Sequence, residues 1–244
     1  MKLFDFPWLF ELGAPIYNWF NAQGVWRESC ARLAAYFPAA TEGAAEGAAE
    51  GAAEGAAMGA AEGAAGRRAL RVLDLGCGPG NTAIEMARVR GDAFIVGLDL
   101  APTMLEIAQR ETIRAGVTKN ISYVLADATA LPFPDGAFDV TTGHSFLYLV
   151  SDRAGVLGEA YRVLRRGGRW VSMEPRDGKT ENWIAKHWTN VRFMVSVMLW
   201  RPYSKMHGRL DEQKFPATLA SAGFKNNGTE LAIEGLGIIG YGEK

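Results

Sequence analysis

From Ala69 onward, short apolar runs alternate with stretches in which apolar side chains recur every three or four positions. The run "ALRVLDLG" (69–76) reads as a buried strand, and residues 80 to 90 read as a helix. "AFIVGLD" (93–99) is a second strand. A helix then begins at Pro102, with Met104, Leu105 and Ala108 on its apolar side. "ISYVLAD" (121–127) and "FDVTTGHS" (138–145) are the third and fourth strands. A helix covers about Arg153 to Leu164, and "GGRWVSMEP" (167–175) is the fifth strand. Strands alternating with helices in this way argue for a parallel, doubly wound α/β sheet with helices on both faces. The tail "GTELAIEGLGIIGYGEK" carries two strand-like runs around Gly235 with no helix between them, so an antiparallel hairpin finishes the sheet.

Three segments break this rhythm. Residues 1–40 are apolar and aromatic and read as a helical cap; Asp5 and Glu11 interrupt them, and they lack the long apolar run of a signal peptide. Residues 41–66 hold the tract "EGAAEGAAEGAAEGAAMGAAEGAA" (42–65). A glycine in every tetrad costs a helix about 1 kcal/mol each, and apart from Met58 nothing there can anchor a core. It reads as a low-complexity linker without chemistry. The remainder, 67–244, is one domain with a distinct segment at 180–210. There Ile184, Trp188, Val191, Val195 and Met198 recur at helical spacing, and Val191 to Trp200 is apolar almost all round. That segment is either a helix packed on the sheet edge or a lid over an apolar acceptor.

Composition narrows the function class. The chain has 244 residues, 48% hydrophobic, with a net charge of -1. A near-neutral surface gives no reason to expect nucleic acid. Cys30 and Cys77 are too few for a disulfide framework, and no Cys/His spacing suggests a metal. A reducing cytoplasm is the simplest setting, and no run is long enough to span a bilayer.

The chemistry concentrates in "VLDLGCGPGN" (72–81), which joins the first strand to the first helix, where an α/β sheet binds ligands. Its glycines, Gly76, Gly78 and Gly80, follow G-x-G-x-G, and Asn81 stands where the dinucleotide pattern wants its last glycine. Asp99 ends the second strand about twenty residues on, where a carboxylate can hold ribose hydroxyls; it also suits the start of the next helix. Asp127 ends the third strand, where it can meet an adenine amino group or merely close a solvated turn. Asp74 lies where a pyrophosphate would be repelled, and a cationic amine suits it better.

This set resembles the class I S-adenosylmethionine-dependent methyltransferases over roughly Ala69 to Pro175. The likeness rests on "VLDLGCGPG", "GLDLAPTML", "LADATALPFPDGAFDV" and "EAYRVLRRGGRWVSMEP". Within that family the chain looks most like the quinone-biosynthesis and small-molecule (methyltransferase type 11-like) branch. The resemblance implies a Rossmann-like, mostly parallel seven-stranded sheet and S-adenosyl-L-methionine as cofactor. Gly76, Cys77, Gly78 and Gly80 would pass close to its methionine moiety, with Asp74 at the amino group and Asp99 at the ribose. Leu100 and Met104 would lie near the adenine, and Asp127 and Ala128 would read its edge. The tract at 42–65 departs from the family pattern.

Methyl transfer asks a protein mainly to align donor and acceptor and to exclude water. The candidates for a role at the acceptor follow the fourth strand: His144 as a proton acceptor and Tyr148 as an orienting group. Tyr17, from the cap, is a candidate cover for the donor. The expected acceptor is a small, apolar or lipid-like molecule. A peripheral membrane contact is an open alternative for the apolar segment, and the oligomeric state is undetermined. Two competing functions stay open: an NAD(P)-dependent oxidoreductase on a related fold, and a catalytically silent S-adenosylmethionine-binding protein.

Overall fold

The computed structural model describes residues 7–39 and 68–244, with side chains from residue 13 onward. The 42–65 tract, Phe4 and Phe6 lie outside the described residues. The described residues open with helices α1 (Pro7–Asn21) and α2 (Gly24–Leu33). Then come β1 (Leu70–Leu75), α3 (Asn81–Val89), β2 (Ala93–Asp99), α4 (Pro102–Ala115), β3 (Ile121–Leu125) and β4 (Phe138–His144). They are followed by α5 (Arg153–Val163), β5 (Leu164–Pro175), α6 (Trp183–His187), α7 (Val191–His207), α8 (Lys214–Ser221), β6 (Lys225–Ala232) and β7 (Gly237–Glu243).

The seven strands form one sheet in the order β3-β2-β1-β4-β5-β7-β6. The first five run parallel, while β7 pairs antiparallel with both β5 and β6. The expected hairpin is therefore present, and β7 is its inner strand. Its turn is tight: Ile233, Glu234 and Gly235 all have positive φ. β1 is buried along nearly its whole length because helices cover both faces of a parallel sheet. Val72 faces a core shared with α2, α3 and α7, and Leu73 faces one shared with α5 and α8. The strand order reverses between β1 and β4, so the ligand crevice is expected outside their carboxyl ends.

Helix boundaries follow local chemistry. Pro102 sits in the first turn of α4, and Gly116 ends it in the left-handed region. The Asp152 carboxylate accepts the Gly155 N–H at 2.8 Å to start α5. The segment expected to be one helical stretch is two helices, because Asn190 caps α7 by accepting the Phe193 N–H at 3.0 Å. The cap helices are part of the fold's core. Trp26 and Leu33 of α2 join the cluster around Val72, and Ala14 of α1 packs with Met104 and Ile107 of α4.

Candidate active site

A narrow pocket, about 360 Å³ including its open mouth, lies at the carboxyl ends of β1 and β4. Loop residues Gly76, Cys77, Gly78 and Pro79 form its floor with the start of α3, and His144 forms one wall. The cap closes it: Tyr17, Asn21, Trp26 and Cys30 complete the lining. Of the expected site residues, Gly76, Cys77, Gly78, His144 and Tyr17 share this pocket. Asp74, Gly80, Asp99, Leu100, Met104, Asp127, Ala128 and Tyr148 stand around or beyond it.

All three loop glycines have positive φ, between +51° and +82°, a region costly to residues with a Cβ. They differ in what that Cβ would meet. At Gly76 it would strike the Phe146 ring, and at Gly80 the Tyr123 hydroxyl and Ala108. At Gly78 it would meet nothing within 4 Å. Gly80 thus serves packing, while Gly78 leaves its backbone open to a ligand. The Gly78 N–H donates to Asp99 Oδ2 at 2.8 Å, and Asp99 Oδ1 accepts the Ala101 N–H at 2.9 Å. Asp99 therefore ties the glycine loop to the start of α4 and retains lone pairs for a further donor. Burial raises its pKa, and its backbone donors oppose that shift.

Asp74 is fully buried, and neither carboxylate oxygen has a hydrogen-bond partner. Burial, reinforced by the nearby Asp99 charge, pushes its pKa up to about 8. A buried carboxylate without donors is costly, and a cationic or N–H-bearing ligand group would relieve it. These residues fit S-adenosylmethionine: an ammonium suits Asp74, an amino-acid tail can pass Gly78, and ribose hydroxyls can donate to Asp99. A pyrophosphate fits poorly beside Asp74.

At the adenine side the geometry is mixed. Leu100 is exposed, whereas Met104 is buried under Ala14 of the cap. Asp127 Oδ1 accepts from both the N–H and the hydroxyl of Thr129 at 2.8 Å, closing its own turn. The Ala128 side chain belongs to the core beside Leu131. Cys77 and Cys30 are buried, and burial pushes both thiols up, Cys30 to about 12; neither is a nucleophile.

His144 ends β4. Its Nε2 lies 2.8 Å from the Ser29 hydroxyl of α2, and the Trp26 ring meets its edge. Burial holds its pKa down to about 4, so the imidazole is neutral. Tyr148 does not line the pocket but lies near Tyr17: it is buried against Tyr203 and His207 of α7, with its hydroxyl bonded to Trp200. Burial raises the pKa of the Tyr17 hydroxyl as well. Sequence reasoning missed two residues here. One is Ser29. The other is Glu174 at the end of β5, fully buried, whose carboxylate accepts the N–H groups of Phe146, Leu147 and Tyr148. Ser145, between His144 and that turn, adopts φ of 54°, a strained value that marks the connection.

Residues 72–168 match the model of a methyltransferase domain family. A demethylmenaquinone methyltransferase of Thermus thermophilus is 44% identical over 104 residues, which cover 43% of this chain and 46% of that protein. The ubiquinone/menaquinone biosynthesis C-methyltransferase UbiE of Cronobacter sakazakii is 30% identical over 182 residues, 66% of this chain and 68% of that protein. The chain spans less than half the length of several curated relatives that it matches. Among solved structures, the [4+2]-cyclase SpnF superposes with a TM-score of 0.60, covering 90% of this chain and 71% of that one at 19% identity. That likeness speaks for the fold alone.

Proposed function

We propose that this chain, which belongs to the family of S-adenosylmethionine-dependent methyltransferases, transfers a methyl group to a carbon of a small, apolar, quinol-like acceptor. The observation that carries the donor half of this reading is Asp74, a buried carboxylate with both oxygens unpartnered near the end of β1, in the strand that leads into the loop with the open backbone of Gly78. The names of the relatives and the apolar cap support the acceptor half. No feature of the described site supports the oxidoreductase alternative, and Asp74 opposes a pyrophosphate.

When bound, the donor supplies a methyl group activated by positive sulfur. The chain's own residues then have three tasks. Asp74, Gly78 and Asp99 hold the donor's polar groups. Tyr17 and Trp26 close the pocket and exclude water. His144 meets the acceptor. The Ser29 hydroxyl donates to the Trp26 carbonyl at 2.7 Å, so towards His144 it presents a lone pair. Nε2 is then the protonated nitrogen, and Nδ1, which lies against the backbone carbonyl of His144 itself, must turn from it to accept a proton from a ring hydroxyl. Drawing off that proton makes the ring carbon a stronger nucleophile.

Incubation with donor and a short-tailed demethylnaphthoquinol should give a product heavier by one methylene. His144→Ala should lower turnover about a hundredfold, within the usual range for acid–base catalysis, and leave donor affinity nearly unchanged. Ser29→Ala should lower turnover about tenfold. Donor binding without product from any quinol would remove the acceptor reading. Absence of donor binding would remove the whole.

A further inference from the structure

Helix α7 is apolar on two opposite faces. Its inner face packs Phe193 and Val197 into the core, and Ser196 accepts the Trp26 N–H at 2.9 Å, one side chain away from the pocket. Its outer face carries Val191, Val195, Met198, Leu199 and Met206, spaced so that all fall on one stripe along the helix. Val191 is 69% exposed, Met198 66% and Met206 73%. Trp188, between α6 and the start of α7, is exposed too, and Trp19 of α1 lies against α7 with the Arg192 guanidinium 4.5 Å from its ring centre. Such a continuous apolar surface marks a contact site rather than ordinary scatter.

The charges carried by α6 and α7 themselves are of one sign. Residues 182–208 contain Lys186, Arg192, Arg201 and Lys205 and no aspartate or glutamate, in a chain where acids slightly outnumber bases. At 100° per residue, Arg192 flanks the stripe on one side, and Arg201 and Lys205 flank it on the other. Lys186 is paired with Glu234, the Arg201 guanidinium donates to the Arg176 carbonyl, and Arg192 lies over Trp19, so Lys205 is the cation best placed to face outward. Long cationic side chains beside an apolar stripe, with tryptophans at its margin, suit the boundary between acyl chains and anionic headgroups. No helix among the described residues is long and apolar enough to cross a membrane.

We propose that the outer face of α7, with Trp188 and Trp19 at its margin, docks this protein onto an anionic lipid bilayer. The proposal deepens the reading above and rests on it for its purpose: an apolar acceptor dissolved in the bilayer would meet the protein on the side where the cap, held to α7 through Trp26 and Ser196, closes the pocket. The docking itself is measurable without turnover.

The test is flotation of the full chain with vesicles of phosphatidylcholine alone or mixed with phosphatidylglycerol. The wild type is expected to float with the mixed vesicles, less at high salt, and weakly with phosphatidylcholine alone. Met198→Glu with Leu199→Glu should lower partitioning about tenfold or more, while melting temperature and donor affinity stay those of the wild type. Equal flotation of this variant, or no flotation of the wild type with either vesicle, would overturn the proposal. So would a wild-type dimer in sedimentation velocity that the variant breaks, because a second copy would then cover the face. Failure of the functional reading shows separately, as absence of donor binding in calorimetry.

Discussion

At pH 6.5, binding of S-adenosylmethionine should release close to one proton to solvent, and Asp74→Asn should abolish that release. Asp74 is held up to about 8 by burial and the nearby Asp99 charge, so the unliganded protein carries it protonated below that pH. An ammonium group binds the carboxylate, not the acid, so the proton must leave. Wild-type affinity should therefore rise with pH, by up to tenfold per unit, until about pH 8. The sign for stability is the reverse. With the folded pKa raised above its usual 3.8, unliganded stability from this group is greatest at low pH and is lost as pH rises towards 8. Asp74→Asn removes the charge: affinity should fall about a hundredfold, and its pH dependence should flatten. Charge-assisted hydrogen bonds of roughly 1.5–3 kcal/mol set that scale. Calorimetry in two buffers of different ionisation enthalpy counts the protons directly. Equal heats in both buffers with unchanged affinity for the variant would place the donor's amino group elsewhere.

Glu174→Ala should cost the fold about 3–5 kcal/mol, or on the order of 6–15 °C in melting temperature. The Glu174 carboxylate accepts the backbone N–H groups of Phe146, Leu147 and Tyr148 in a fully buried place. Each N–H left without an acceptor costs roughly 1–3 kcal/mol. The same turn carries Phe146 against Gly76 and follows directly from His144, so turnover should fall further than stability explains. Glu174→Gln keeps the shape but replaces one acceptor by a donor, and should fall between alanine and wild type. Thermal unfolding of the three proteins gives the order; a Glu174→Ala protein as stable as wild type would show that the turn closes on its own.

These two acids were not equally visible in the sequence. Asp74 belongs to a local pattern, the end of an apolar strand followed by glycines, and its environment follows from its neighbours in the chain. The five parallel strands were legible for a similar reason: strands buried on both faces are continuous apolar runs. Glu174 sits in the segment "WVSMEP", but its function depends on a turn some thirty residues earlier, which no local pattern reveals. Ser29 is hidden for the same reason, because its partner His144 lies 115 residues away in the chain. The glycines show the limit within a motif. Spacing alone treats Gly76, Gly78 and Gly80 alike; only packing shows that Phe146 and Tyr123 fill two of the places and leave the third open. Helix α8, with Pro216 inside a short "KFPATLAS", lacks the length that makes periodicity readable.

Trp26 and Tyr17 line the pocket and Ser29 holds His144, all from the segment described to residue 39, while the strand beneath them starts at Leu70. On the linker reading of residues 42–65, these contacts form by intramolecular docking and the tetrads act as the tether. What a tether contributes is effective concentration, which declines only slowly with its length; doubling it weakens docking by about 0.6 kcal/mol. Gaining or losing a tetrad is nearly silent on that scale. The number of repeats is therefore free to drift, as long as the remaining length spans the gap, while Ser29 and Trp26 on one side and His144 on the other must stay in register.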